Sequence, residues 1–150
     1  IKVNNKMSKF FIKKYYEPDL QTKLINHLLK LANTSIDISD GLIDDLKKLI
    51  NRQKFSFHIF EEKIPVSKTL SQLIRIKKFK KINISTRGDD YQILFTASPF
   101  KSRIIKKISK ITGIKITKIG NIISGKNRSK IINLKDKQIE AKNKGYIHQF

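Results

Sequence analysis

Two short acidic segments stand out by residue type and spacing: Asp37-Ile38-Ser39-Asp40-Gly41-Leu42, and further along Gly88-Asp89-Asp90-Tyr91. Two carboxylates three residues apart at a turn suit a hard cation such as Mg²⁺, which takes a few carboxylate oxygens and completes its shell with substrate phosphates and water. On an extended strand Asp37 and Ser39 face one side. The helix start that follows favours anions through its unpaired amides and its dipole. Ser39 is then placed to hydrogen-bond a phosphate, so the chemistry suggested is that of a metal and a phosphate.

Simpler roles compete for the same residues. Asp40 suits a helix N-cap, and for Asp44 and Asp45 the favoured reading is first-turn acids that complement the helix dipole. Capping does not explain Asp37, which sits at a strand end beside a second carboxylate. Gly88 with Asp89 and Asp90 also has the composition of an ordinary turn. His27, His58 and His148 lack ligand spacing, and His27 and His58 read as structural. No Ser-His-Asp arrangement, phosphate-binding Walker loop or dinucleotide fingerprint is present.

The acids are informative because the chain is otherwise basic. Its 150 residues hold 33 Lys+Arg against 12 Asp+Glu, for a formal charge of +21, and six of the twelve acids fall in the two segments and the helix start between them. Such a charge attracts phosphate polymers whatever the fold. Yet the excess is 28 Lys to 5 Arg alongside 27 Ile, whereas sequence-reading surfaces lean on Arg for bidentate contacts. A basic nucleic-acid-binding module is therefore kept only as an alternative.

The length suits one domain, and with 39% hydrophobic residues it can bury roughly two-thirds of its unfolded surface. The absence of cysteine excludes a disulfide scaffold, a thiolate metal site and a cysteine nucleophile. No apolar run has bilayer length and no leader pattern is visible, so a cytoplasmic protein without a membrane partner is expected.

The elements that must position the acids follow from periodicity. Residues 1–15 mix Lys, Asn and aromatics and read as a linker or the remnant of a missing N-terminal domain. Because residue 1 is Ile, upstream sequence is expected. Residues 16–150 form the domain proper. From Pro18, Leu20, Leu24, Ile25, Leu28, Leu29 and Ala32 recur at helical spacing. Ser35 to Ser39 alternates as a strand. Leu42, Ile43, Leu46, Leu49 and Ile50 form the stripe of a second helix. Phe55, Phe57 and Ile59 alternate as a strand, and Leu70 to Ile76 suggests a short helix. Tyr91 to Phe95 reads as a strand, and Pro99 opens a helix that Gly113 ends. Ile114 to Ile119 and Ile122-Ile123 read as strands broken at Gly120, with Ile131, Ile132 and Leu134 beside them. This irregular order predicts an α+β fold.

Taken together, the two acidic segments resemble the C-terminal half of the thiamine-monophosphate kinase family. That family shares a superfamily with aminoimidazole ribonucleotide synthetase and selenophosphate synthetase. Its pattern is Asp-x-Ser-Asp-Gly-Leu, then Gly-Gly-Glu-Asp-Tyr-Glu-Leu. Tyr15-x-x-Pro18, Asp45-Leu46, Ile64-Pro65, Ile119-Gly120 and Gly145-Tyr146-x-His148 agree in order and spacing. The resemblance implies a layered α/β/α domain with a mixed sheet, like the C-terminal domain of aminoimidazole ribonucleotide synthetase. It implies ATP-dependent phosphorylation of thiamine monophosphate to thiamine diphosphate. Asp37 and Asp40 match magnesium ligands, Ser39 a residue contacting ATP, Asp89 the acid that binds the thiamine substrate, and Tyr146 a C-terminal aromatic packing on it. No catalytic nucleophile is implied, since phosphoryl transfer needs positioning and charge neutralisation above all.

Family members are about twice this length, and the missing half supplies most of the metal-binding aspartates and a homodimer interface; the fragment alone is expected to be inactive. The alternative within the superfamily is a sister enzyme acting on another acceptor. This sequence departs from the pattern at Arg87 and Gln92, at Asp89 in place of Glu, and at Leu20-Gln21 where the family has Pro-Arg. Asp89 keeps the charge but is one methylene shorter.

Overall fold

The computed structural model describes residues 3–50 and 54–140. The helices are α1 (Asn5–Tyr16), α2 (Ile25–Leu31), α3 (Leu42–Leu49), α4 (Lys68–Lys77), α5 (Lys81–Ser85) and α6 (Ser102–Thr112). The strands are β1 (Thr34–Asp37), β2 (Phe55–Phe60), β3 (Ile93–Thr96), β4 (Gly120–Ser124), β5 (Lys130–Ile132) and β6 (Gln138–Ile139). β1 and β3 form an antiparallel ribbon. The other four strands form a mixed sheet in the order β4-β2-β5-β6, parallel only between β2 and β5. The architecture is α+β, as the irregular element order predicts.

Alternation along β3 gives the ribbon two faces. Leu94 enters a cluster with Leu42, Ile43, Leu46 and Leu49 of α3, Phe57 and Ile59 of β2, and Ile82 of α5. Its neighbour Ile93 packs instead against Leu24, Leu31 and Ile108, from the segment before α2, α2 itself and α6. Successive side chains of a strand point to opposite faces, so the ribbon shares in two cores, one with α3, α5 and the mixed sheet and one with α2 and α6. The register Ile36↔Leu94 and Asp37↔Ile93 fixes which residues emerge at its end.

The structure adds to the sequence reading and corrects parts of it. α1 runs from residue 5 to 16, through most of the stretch 1–15 read as a linker or a domain remnant. Asn4 caps it by accepting the Met7 amide at 2.9 Å, and Lys13 and Lys14 occupy its last turn, where cations suit the dipole. The basic stretch after α4 contains a further short helix, α5. Glu61 accepts the Ile82 amide at 3.0 Å and so ties this helix to the segment following β2. The helix expected from Pro18 begins later, as a single tight turn at Thr22–Leu24 that leads into α2.

Ile114 to Ile119 does not pair as a strand. Half-buried Ile114 and Ile116 pack against one core cluster and Ile119 against the other, along a connecting segment that passes from one core to the other. Ile131 and Ile132, expected with Leu134 beside the strand at Ile122-Ile123, pair with β2 and β6, and Leu134 lies 81% exposed in a turn closed by the Asn133 amide donating to Lys137 O. α6 ends as read, with Gly113 in the left-handed conformation at φ 70°. None of the described helices is long and apolar enough to cross a membrane.

Candidate functional site

The ladder between β1 and β3 continues past the strands and joins the two acidic segments. Ile38 N donates to Gln92 O, Tyr91 N to Ile38 O, and Asp89 N to Ser39 O, each at 2.9 Å. Two glycines make this approach possible. A Cβ on Gly88 would stand 1.9 Å from Ser39 O, and one on Gly41, whose φ is 121°, would stand 2.3 Å from Thr86 O. Both distances are far inside van der Waals contact, and the positive φ itself favours glycine.

Asp45 organises the first turn from within. It is fully buried, and one carboxylate oxygen accepts the amides of Ser39, Asp40 and Gly41 at 3.0, 3.0 and 3.1 Å. Helical side chains tilt toward the N-terminus, so an acid four residues past Gly41 folds back over the turn. The favoured sequence reading gave Asp45 a dipole role only; its spacing from Gly41 was the available signal. The N-cap position of α3 belongs to Gly41, which makes no side-chain bond, and not to Asp40.

Lys48 is the second residue that sequence reasoning missed. Its ammonium lies 3.0 Å from the other oxygen of Asp45 and also contacts the Asp40 carboxylate. Hydrogen bonds to Asp40 and then to Asp45 hold the Lys48 ammonium above its ordinary value. Asp44 pairs with Lys47 at 2.7 Å, one turn of helix apart on the outer surface.

Asp37 and Asp40 thus lie on either side of Ser39 at one end of the ribbon, with Asp89 bonded through its amide to Ser39 O. Asp89 and Tyr91 adopt left-handed backbone conformations, φ 64° and 49°, and for this reason β3 starts at Ile93 and not at Tyr91. The Tyr91 hydroxyl lies 3.4 Å from an Asp89 oxygen. The Asp89 charge first, then partial desolvation and the hydrogen bond to Asp89, raise the Tyr91 phenol above its ordinary range. Asp90 is pushed up to about 6, first by the protein mass around it and then by the Asp89 charge; its surface remains exposed to water, which weakens that penalty.

Four of the five sequence-predicted site residues, Asp37, Ser39, Asp40 and Asp89, are therefore brought together. Tyr146 lies outside the described residues. Among the described residues no cluster of three or more His, Cys, Asp or Glu is arranged to hold a metal. Asp37 and Asp40 offer hard oxygen donors, and two carboxylates fit the way Mg²⁺ is held when substrate phosphates and water complete the shell.

These features define an α+β domain that carries two acidic turns at one end of a half-buried two-stranded ribbon. Over 97% of its length the chain is 32% identical to the thiamine-monophosphate kinase of Buchnera aphidicola from Schizaphis graminum, covering 44% of that protein. The kinase of the same name from Aquifex aeolicus is 36% identical over 57% of the chain and 28% of that protein. Among solved structures, thiamine monophosphate kinase from Aquifex aeolicus superposes with a TM-score of 0.68 at 26% identity, over 93% of this chain and 44% of that one. A complex of AaThiL with AMPPCP and TMP gives 0.73 at 25% identity, over 99% and 44%. No protein-family model matches. The chain is homologous to the C-terminal part of the thiamine-monophosphate kinases and spans less than half the length of the curated relatives it matches.

Two departures from the family pattern meet in space. The Gln21 side-chain amide donates to the Gln92 side-chain oxygen at 3.3 Å, and the Gln92 amide reaches Asp19 O at 3.4 Å and Asp90 O at 3.3 Å. The segment before α2 is thereby fastened to the second acidic turn by neutral groups.

Proposed function

We propose that this domain forms one side of the active site of a thiamine-monophosphate kinase. In that reaction the terminal phosphoryl group of ATP passes to a phosphate oxygen of thiamine monophosphate. The bond between the β- and γ-phosphates breaks as the new P–O bond forms, and thiamine diphosphate and ADP leave. The observation that carries the reading is the pairing of the two acidic turns through Asp89 N and Ser39 O at 2.9 Å. On this reading the pairing joins the segment of the proposed metal carboxylates, Asp37 and Asp40, to that of the proposed substrate carboxylate, Asp89. The similarity to a structure complexed with AMPPCP and TMP supports the same assignment.

In this reading Asp37 and Asp40 hold Mg²⁺, which neutralises phosphate charge when bound. The Ser39 hydroxyl contacts ATP. Asp89 faces the cationic thiamine moiety, and Tyr146 packs on it. An N-terminal domain and a second subunit complete the site in the full-length protein, and the compartment is the cytoplasm, where ATP is available.

The test is thiamine diphosphate formation by the full-length protein from ATP and thiamine monophosphate with Mg²⁺. Product is expected, and Asp40→Asn should reduce kcat at least about tenfold, the equivalent of losing one charged contact. Phosphorylation of a different acceptor, with none of thiamine monophosphate, would point to a sister enzyme.

A further inference from the structure

Lys48 occupies a position that the proposed chemistry does not use. It lies on the last turn of α3, three residues after Asp45 and eight after Asp40, and its single ammonium bridges both carboxylates. The two acids differ in their other commitments. Asp45 is fully buried and holds three backbone amides, so it cannot turn outward without unmaking the turn. Asp40 is the outer partner: its side chain is 19% exposed, and that of Lys48 is 49% exposed. A lysine is a compact point charge on a flexible stem, and one half in water can swing away from a carboxylate at little cost.

We propose that Lys48 is the built-in counter-ion of Asp40 and competes with a divalent metal for that carboxylate, so that it sets how tightly the site takes its metal. This rests on the assignment of Asp40 as a metal ligand made above. A metal approaching Asp40 must draw the carboxylate away from the ammonium and then tolerate a positive neighbour. In the metal-free domain the same ammonium bridges the like charges of Asp40 and Asp45, so the turn is held ready while empty.

The experiment uses the full-length protein without nucleotide and reads bound Mn²⁺ from the loss of the free-ion electron paramagnetic resonance signal. Lys48→Met is expected to bind Mn²⁺ about two- to five-fold tighter, the size of one exposed ion pair. Lys48→Arg should stay near the parent, and Asp40→Asn should weaken Mn²⁺ binding. Thermal melts in chelator should place Lys48→Met below the parent, with the gap closing as Mn²⁺ is added. Lys48→Gln serves if the Met variant does not fold. Unchanged or weaker Mn²⁺ binding in the neutral variants overturns the competition, as does unaltered binding in Asp40→Asn. Thiamine monophosphate phosphorylation is measured alongside: its absence overturns the kinase reading alone, because the Mn²⁺ readout needs neither substrate.

Discussion

Gly88 lies so close to the carbonyl of Ser39 that a single added carbon would stand 1.9 Å from its oxygen. The Asp89 amide bonds that same oxygen at 2.9 Å, so the contact that admits no side chain also fastens the two acidic turns. Gly88→Ala should therefore force the turns apart, cost about 1–3 kcal/mol as overpacking does, and lower activity more than stability. Urea denaturation beside steady-state kinetics on the full-length protein checks both parts. Wild-type kcat in the variant would show that the turns work independently.

Asp45 should prove the most sensitive acid to folding. Asp45→Ala leaves the amides of Ser39, Asp40 and Gly41 without their acceptor and Lys48 without one of its partners, a loss of about 3–5 kcal/mol when each amide left unsatisfied costs about 1–3 kcal/mol. Asp45→Asn keeps one oxygen for the amides but turns an NH₂ group toward the Lys48 ammonium, and should fall between. Equilibrium denaturation of the three proteins ranks them.

Asp89 should act on substrate binding. Asp89→Ala is expected to raise KM for thiamine monophosphate about tenfold or more, the size of one charged contact, with a smaller effect on KM for ATP. Asp89→Glu, which restores the longer side chain of the family pattern, should retain or improve KM. Equal changes for both substrates in Asp89→Ala would remove the assignment.

Asp90 supplies a pH signature. Its folded-state value is raised to about 6 from 3.8, so folding favours the protonated form and the penalty for ionising it grows as pH rises from about 4 to 6 and then stays constant. Asp90→Asn should match the parent near pH 3.5 and exceed it at pH 7, by less than about 1 kcal/mol once water at the exposed carboxyl is allowed for. Melting temperatures across that range decide; a gap of the same size at every pH would assign the gain to the turn backbone.

Strong periodicity made much of this domain readable. The strand, turn and helix spanning Thr34 to Leu49 and the helix from Pro99 to Gly113 follow from stripes and breakers that local physics enforces. α1 escaped because its sequence, Asn-Lys-Met-Ser-Lys-Phe-Phe-Ile, carries no clean apolar stripe and buries only Met7. Ile114 and Ile116 misled because alternation places both side chains on one face, and a connector laid along one core supplies that face as well as a sheet does. In the site, residue types marked Asp37, Asp40 and Asp89, but the roles of Asp45, Gly88 and Lys48 depend on which backbone atoms meet across the ribbon, a tertiary fact that no local pattern encodes.

The ribbon itself has a consequence for assembly. Its strands are separated in sequence by α3, β2, α4 and α5, and its two faces belong to different cores. An isolated pair of strands is barely stable in water, and closing so long an intervening loop carries an entropy cost that only packing offsets. The acidic turns therefore stay together only while both cores pack around β3. A lesion in either core, however remote from the carboxylates, should therefore first become visible as molecules that are compact but not competent.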